Sequence, residues 1–300
     1  MNFQYFLIIF LSLLLLLHSI YKLGNTIEKE NKTLIEKFLN KFTKTIFSSF
    51  LTGIFICLIT QSSSIITILT ISLISSKILS LRKGLAIVIG SNIGTTIISL
   101  IISFDIGSFY YIFFIITFIL LFIKKSLSKV FLYIGLIFLS LDLLTKHLLI
   151  VFNNSFLEDM LFKFNNPLLG ILAGVIISFL IQSSSTTIAV AQKMYFNNLL
   201  SSLLGISIML GANIGTTISG LIFSMKSSLE AKRLSVAGML FNILGVLVFI
   251  PFLYIYKEYI NLNNSPYLIS IAHIYFNVIT GILGLFIITP LCKISSFLVR

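Results

Sequence analysis

The sequence predicts an all-α polytopic membrane protein, built as an inverted repeat with two re-entrant helical hairpins that turn at a QSSS tetrapeptide. Three observations predict it. Of the 300 residues, 57% are hydrophobic and only 10% charged, with a mean hydropathy of +1.09; a soluble domain carries about 25% charged residues. Gln61-Ser62-Ser63-Ser64 returns as Gln182-Ser183-Ser184-Ser185, and GSNIGTT at Gly90–Thr96 returns as GANIGTT at Gly211–Thr217, both with an offset of 121 residues. Finally, the basic residues sort onto one side of the membrane best when both QSSS segments turn back on themselves.

Apolar segments run over 3–21, 46–76, 84–104, 109–123, 130–150, 167–201, 203–224, 235–256 and 267–290. The first has no basic residue before it and no small-residue cleavage site, so it reads as a retained helix rather than a signal peptide. The linker 22–45 mixes six lysines with Glu28, Glu30 and Glu36 among apolar residues, the pattern of an amphipathic helix on the cytoplasmic membrane surface. Segments 46–76 and 167–201 carry the QSSS motifs at their centres. Each is longer than the roughly 20 residues one crossing needs, and each half is too short to cross alone. A long polar-centred helix and a re-entrant hairpin both satisfy those lengths.

Charge counting separates the two. With both segments turned back and the linker cytoplasmic, 17 Lys and Arg lie inside and four (Lys146, Lys163, Lys193 and Lys257) outside; with both crossing, the division falls to 13 against eight. The positive-inside rule favours re-entrance. One hairpin then enters from the cytoplasm and the other from outside, which inverts the second half relative to the first. The halves are 1–125 and 126–224, followed by two C-terminal spanning segments in 225–300. A weaker echo, FLSL at Phe10–Leu13 and Phe138–Leu141, has an offset seven residues longer and assigns the extra length to the charged linker.

The motifs carry binding chemistry rather than covalent chemistry. Serine hydroxyls and Gln or Asn amides both donate and accept. The free N–H groups and positive dipole at a broken helix tip attract an anion. Carbonyls at half-helix C-termini, with hydroxyl and amide oxygens, suit Na⁺. Glycines 90, 94, 211 and 215 permit close backbone approach or unwinding beside Asn92 and Asn213, and Thr95, Thr96, Thr216 and Thr217 add hydroxyls. The alternative role for these G-x-x-x-G pairs and for the serines is helix packing. No Lys-Ser/Thr follows the glycines, so neither motif is a phosphate-binding P-loop. Cys57 and Cys292 form no metal or redox motif, and no nucleophile–base constellation is visible. The +12 charge belongs to loop lysines, not to a nucleic-acid surface. Asp142, His273 and Asn242 are polar residues inside predicted spans.

Paired QSSS motifs, each followed by G-[AS]-N-I-G-T, resemble the type II sodium/phosphate cotransporter family in its bacterial branch. The resemblance extends to Glu230–Phe252 (EAKRLSVAGMLFNILGVLVFIPF) and Ala272–Val278 (AHIYFNV), and so covers nearly the whole chain. It implies an inverted-repeat, multi-pass transporter of the cell membrane that moves inorganic phosphate with Na⁺ by alternating access, without an organic cofactor. It also implies that Gln61, Ser62, Ser63, Ser64, Gln182, Ser183, Ser184 and Ser185 form the central phosphate and Na⁺ site. Asn92, Thr95, Asn213 and Thr216 would support it from adjacent helices. No Lys or Arg stands next to either motif, so phosphate would be held by neutral donors and helix dipoles and released readily. Many bacterial relatives carry a phosphate-regulator-like helical domain after the membrane part, which has no counterpart before Arg300; Gly238 stands where relatives often have histidine. Another oxyanion, phosphate export, or a scaffold or channel in which QSSS only packs helices are the alternative readings.

Overall fold

A computed structural model describes residues 3–60, 62–103, 110–152, 166–255, 265 and 267–300. Among these the chain is helical with no strand: α1 (Phe3–Phe42), α2 (Ile46–Thr60), α3 (Ser63–Ser75), α4 (Leu81–Ser103), α5 (Tyr110–Ile123), α6 (Lys125–Phe152), α7 (Pro167–Ile181), α8 (Ser184–Phe196), α9 (Ser202–Ser224), α10 (Leu229–Ile255) and α11 (Leu268–Leu298). Six of them, α1, α4, α6, α9, α10 and α11, are long and apolar enough to cross a membrane. The molecule is a multi-pass membrane protein. Its outward side chains fit that solvent: Phe118, Phe122, Phe286 and Phe297 all face outward. Inside, many hydroxyls are satisfied within their own helices. Thr60 and Thr70 donate to the carbonyls of Ile56 and Ile66, four residues back, so they cost little in an apolar interior.

Both QSSS segments break at the serines, into α2 and α3 and into α7 and α8. Ser62 (φ −148°, ψ 108°) and Ser183 (φ −150°, ψ 111°) are extended N-caps; their hydroxyls accept from the N–H groups of Ile65 and Thr186 at 3.3 and 3.2 Å. In the second segment the break is completed by Gln182 in the left-handed region (φ 56°); Gln61 lies outside the described residues. α3 and α8 end in equivalent closures. The N–H groups of Ile78 and Leu199 reach back to the carbonyls of Leu73 and Met194, with Lys77 and Asn198 left-handed between. Every one of these pairs is 121 residues apart.

Packing repeats at the same offset. A methyl on Gly53 would strike the Ile87 carbonyl and one on Gly90 the Phe50 carbonyl; Gly174 meets Ile208 and Gly211 meets Ile171 in the same way. Glycine is required here because backbones touch. Gly94 lies against Ile54 and Cys57, and Gly215 against Val175 and Phe179, so α2 runs in the same direction as α4 and α7 in the same direction as α9. Gly84 sits against Thr70 and Ile74 just across the turn, which makes α3 antiparallel to α4. The chain therefore reverses between α2 and α3.

Cross-contacts set the remaining directions. Asn92 meets Asn242 and Val88 meets Gly238, so α10 runs with α4. Gly220 meets Ser235 at one end of α9, while Gly205 meets Ile269 at the other. α11 crosses α10 antiparallel through Gly284 on Phe241 and Phe249 on Phe276. α9 thus opposes α10, and α4 and α9 point in opposite directions. α1 and α6 are antiparallel, with Tyr5 beside His147.

Two expectations change. The first segment and the linker 22–45 are not separate elements: α1 is one 40-residue helix through Phe42, because no proline interrupts it and its Lys/Glu-rich part holds many good helix formers, Lys, Glu and Leu. The glycines of α4 and α9 do not unwind their helices, which are continuous through them; packing is what those glycines do. Expected span 109–123 coincides with α5, of which Tyr110–Ile123 is described. Lys163 and Lys257 of the charge count lie outside the described residues.

Candidate functional site

The two helix breaks bring four first-turn serines to one place. Ser62–Ser64 and Ser183–Ser185, with Gln182, line a cavity of about 340 Å³ that is closed on one side by Leu17, Tyr21 and Gly24 of α1. A second cavity of about 250 Å³ shares Ser63, Ser64 and Gln182 with it and continues to Asn92, Thr216, Thr217 and Asn242. The two cavities meet at these three polar side chains and at Ile68.

Local geometry explains what the cavity offers. The cap hydroxyls satisfy the third N–H of each helix, from Ile65 and Thr186. The N–H groups of Ser63 and Ser64, and of Ser184 and Ser185, find no acceptor among the described residues. They are the free donors that every helix start leaves. The hydroxyls of the same four serines make no hydrogen bond to another described group either, although Ser184 and Ser185 are 94% buried. None of these four oxygens is among the fully enclosed polar atoms without a partner; they are donors and acceptors offered to the cavity. Two helix N-termini, each equivalent to roughly half a positive charge, meet at the cavity, and no carboxylate is among the cavity linings.

Asn92 is held by a neighbour. Its Nδ2 donates to Asn242 Oδ1 at 3.2 Å, and Asn242 Nδ2 in turn donates to the Gly238 carbonyl. Asn242 was legible only as a polar residue in a span. It lies outside the repeat, and no spacing signal links it to Asn92. Thr216 lines the cavity with its hydroxyl near the Ala212 and Asn213 carbonyls. Asn213 and Thr95 are not among the cavity-lining residues. Each is buried on its own helix, Asn213 Nδ2 on the Met209 carbonyl and Thr95 Oγ1 on the Asn92 carbonyl. The structure therefore joins Ser62, Ser63, Ser64, Gln182, Ser183, Ser184, Ser185, Asn92 and Thr216 around connected cavities, leaves Thr95 and Asn213 behind them, and does not describe Gln61. Asp142 is paired with Lys146 at 2.8 Å, one turn along α6, and lines none of these cavities. His273 is fully buried, with Nδ1 at 2.9 Å from Ser99 Oγ. Among the described residues no cluster of His, Cys, Asp and Glu could hold a metal ion.

Comparison with known proteins agrees with the motif. The Na+/Pi-cotransporter family matches twice in succession, over residues 15–146 and 147–259. An uncharacterized Bacillus subtilis protein, YqeW, is 27% identical over 258 residues, covering 84% of each chain. The Escherichia coli K12 protein named putative inorganic phosphate export protein YjbB is 22% identical over 260 residues; the match covers 84% of this chain and 48% of that one, so the chain spans about half of that relative. Human sodium-dependent phosphate transport protein 2B is 39% identical over 93 residues, 29% of this chain and 14% of its own. No solved structure matches. With a twofold family match over most of its length, an all-helical membrane architecture and polar motifs at its helix breaks, the chain belongs to the Na+/Pi-cotransporter family, a family of transporters and not of enzymes.

Proposed function

We propose that this protein is a secondary active transporter that carries inorganic phosphate together with Na⁺ through an alternating-access cycle. One observation carries the reading: Ser63, Ser64, Ser184 and Ser185, whose N–H groups find no acceptor among the described residues, line a single cavity at two helix N-termini. Phosphate presents acceptor oxygens around its whole surface, and such donors suit it. Because no Lys or Arg lines the cavity, the bound anion is held by dipoles and neutral donors, and release stays fast. Na⁺ is assigned to the same residue set through carbonyl, hydroxyl and amide oxygens; Asn92, Thr95, Asn213 and Thr216 are its flanking support, and Gln61 takes the place of Gln182 in the first half. The family description and the printed name of the human relative support Na⁺ coupling.

The opposite directions of α4 and α9, with the chain reversal between α2 and α3, support an inverted repeat of 1–125 and 126–224 followed by 225–300. Helices of 15 and 13 residues on either side of each break are too short to span, which supports re-entrant hairpins whose tips meet at the bilayer midplane. Rocking one half against the other then exposes the tips to alternate sides.

A second reading, net export of phosphate, is favoured by the name of the Escherichia coli relative. Radiolabelled phosphate flux in proteoliposomes tests both. An inward Na⁺ gradient accelerates uptake under the first reading, and efflux from phosphate-loaded vesicles dominates under the second. Flux indifferent to Na⁺, or sulfate competing as well as phosphate, sinks the symport proposal.

A further inference from the structure

A third cavity, of about 370 Å³, lies where α1 and α6 pack and shares no lining residue with the two serine cavities. Its lining is Lys22, Asn25 and Thr26 from α1 with Lys125, Ser126, Lys129 and Tyr133 from α6, and it contains no aliphatic side chain. Lys125, Lys129 and Tyr133 follow one another at four-residue steps and so form one stripe on α6. Lys22 and Thr26 stand one turn apart on the facing helix. Antiparallel packing brings the basic ends of both helices to the same end of the pair.

None of the three ammonium groups has an acidic partner among the described residues. The cavity also sits at the start of α6. Lys124 N–H bonds back to Leu120 and Ser128 N–H to Lys124, whereas the N–H groups of residues 125–127 find no acceptor among the described residues. Three cations without an acidic partner among the described residues, a helix N-terminus, and the hydroxyls of Ser126 and Tyr133 therefore line one polar space. Depth is set by the flanking sequence. Lys22 lies near the end of the apolar stretch of α1, and Lys125 and Lys129 open the apolar stretch of α6, which puts the cavity at headgroup level.

We propose that this cavity is a binding site for a phosphoryl anion, distinct from the transport site, whose expected source is the headgroup of an anionic phospholipid. Basic pockets between membrane helices on the cytoplasmic side take such headgroups. The exposed apolar faces of α1 and α6 beside the cavity, with Leu14, Tyr21 and Leu127 outward, offer a path for the acyl chains. A bound lipid would tie α1 to α6, the first helices of the two proposed halves, and so tune how readily those halves move. Free inorganic phosphate shares the recognised chemistry and is the other source.

The test uses the full chain in neutral nanodiscs of phosphatidylcholine. Short-chain phosphatidylglycerol, short-chain phosphatidylcholine and inorganic phosphate are titrated in turn, with binding read by native mass spectrometry and by thermal shift. Each lysine contributes roughly a fivefold affinity change, at about 1 kcal/mol per basic residue near the surface. Phosphatidylglycerol binding is expected to weaken stepwise through K22Q, K125Q/K129Q and the triple variant, and to return in K125R/K129R. Phosphatidylcholine binding should not change. If the lysine changes instead weaken inorganic phosphate binding alone, the site takes free phosphate. If the triple variant melts as the wild type does in phosphatidylcholine and binds both anions with wild-type affinity, the site does not exist. Serine-cluster binding remains in every variant, so failure here is separable from failure of the transport reading.

Discussion

Ser63→Ala and Ser184→Ala separate a ligand cradle from a packing motif, because the two roles predict opposite signs. Both serines occupy the first helical position after a capping serine, and neither hydroxyl bonds to another described group. Removing such a hydroxyl breaks no hydrogen bond among the described residues. Alanine is the better helix former by up to about 0.5 kcal/mol, so the melting temperature should hold or rise slightly. Binding should move the other way. A hydrogen bond from a neutral donor to a charged ligand is worth about 1.5–3 kcal/mol, which corresponds to roughly a 10- to 150-fold loss of phosphate affinity per serine. Ser183→Ala is the control. It removes the cap that Thr186 N–H and Thr186 Oγ1 use at 3.2 and 2.8 Å and should cost about 1 kcal/mol of stability as well as affinity. The assay pairs thermal unfolding in detergent with phosphate titration and proteoliposome flux. Wild-type flux and affinity in S63A and S184A, with stability lowered, would refute the cradle and leave helix packing as the role of the serines.

Gly211→Ala drives a methyl into the Ile171 carbonyl, backbone against backbone, and should destabilise the fold by about 1–3 kcal/mol; Gly90→Ala does the same against Phe50, and a melting temperature within 1 °C of wild type for both, roughly the resolution of the scan, would contradict the packing role. A double-mutant cycle of Asn92→Ala and Asn242→Ala should show a coupling of about 0.5–1.5 kcal/mol in unfolding, whereas additive effects would mean that the amide pair contributes nothing. Topology is read with single cysteines in a background lacking Cys57 and Cys292: Ser80→Cys should be labelled by impermeant maleimide from the cytoplasmic side and Asn198→Cys from the outer side. Labelling of both from one side would end the inverted-repeat proposal.

Much of the fold was legible in the residue pattern because its determinants are local. Apolar runs report spans wherever a helix must satisfy its own backbone in lipid. The repeat offset of 121 residues, read from two polar motifs, recurs in the caps at Ser62 and Ser183, in the left-handed closures at Lys77 and Asn198, and in the Gly90 and Gly211 contacts. An extended serine followed by free first-turn N–H groups is a short-range signal, and four consecutive residues carry it.

What stayed hidden depends on how helices rotate and meet. Whether Gly90–Gly94 unwinds or packs is decided by the α2 carbonyls opposite, which sit some forty residues earlier in the chain. The rotation of α4 turns Asn92 toward the cavity and Asn242 while burying Thr95 on its own backbone, and the rotation of α9 leaves Asn213 on Met209 while presenting Thr216. Repeated motifs therefore take unequal places in one asymmetric state. Likewise, Lys22 and Lys129 read as loop and span-edge charges in sequence, yet antiparallel packing of α1 on α6 makes them neighbours across one cavity. Hydropathy and spacing are properties of one segment at a time, whereas a site between helices exists only once their faces have been chosen by packing.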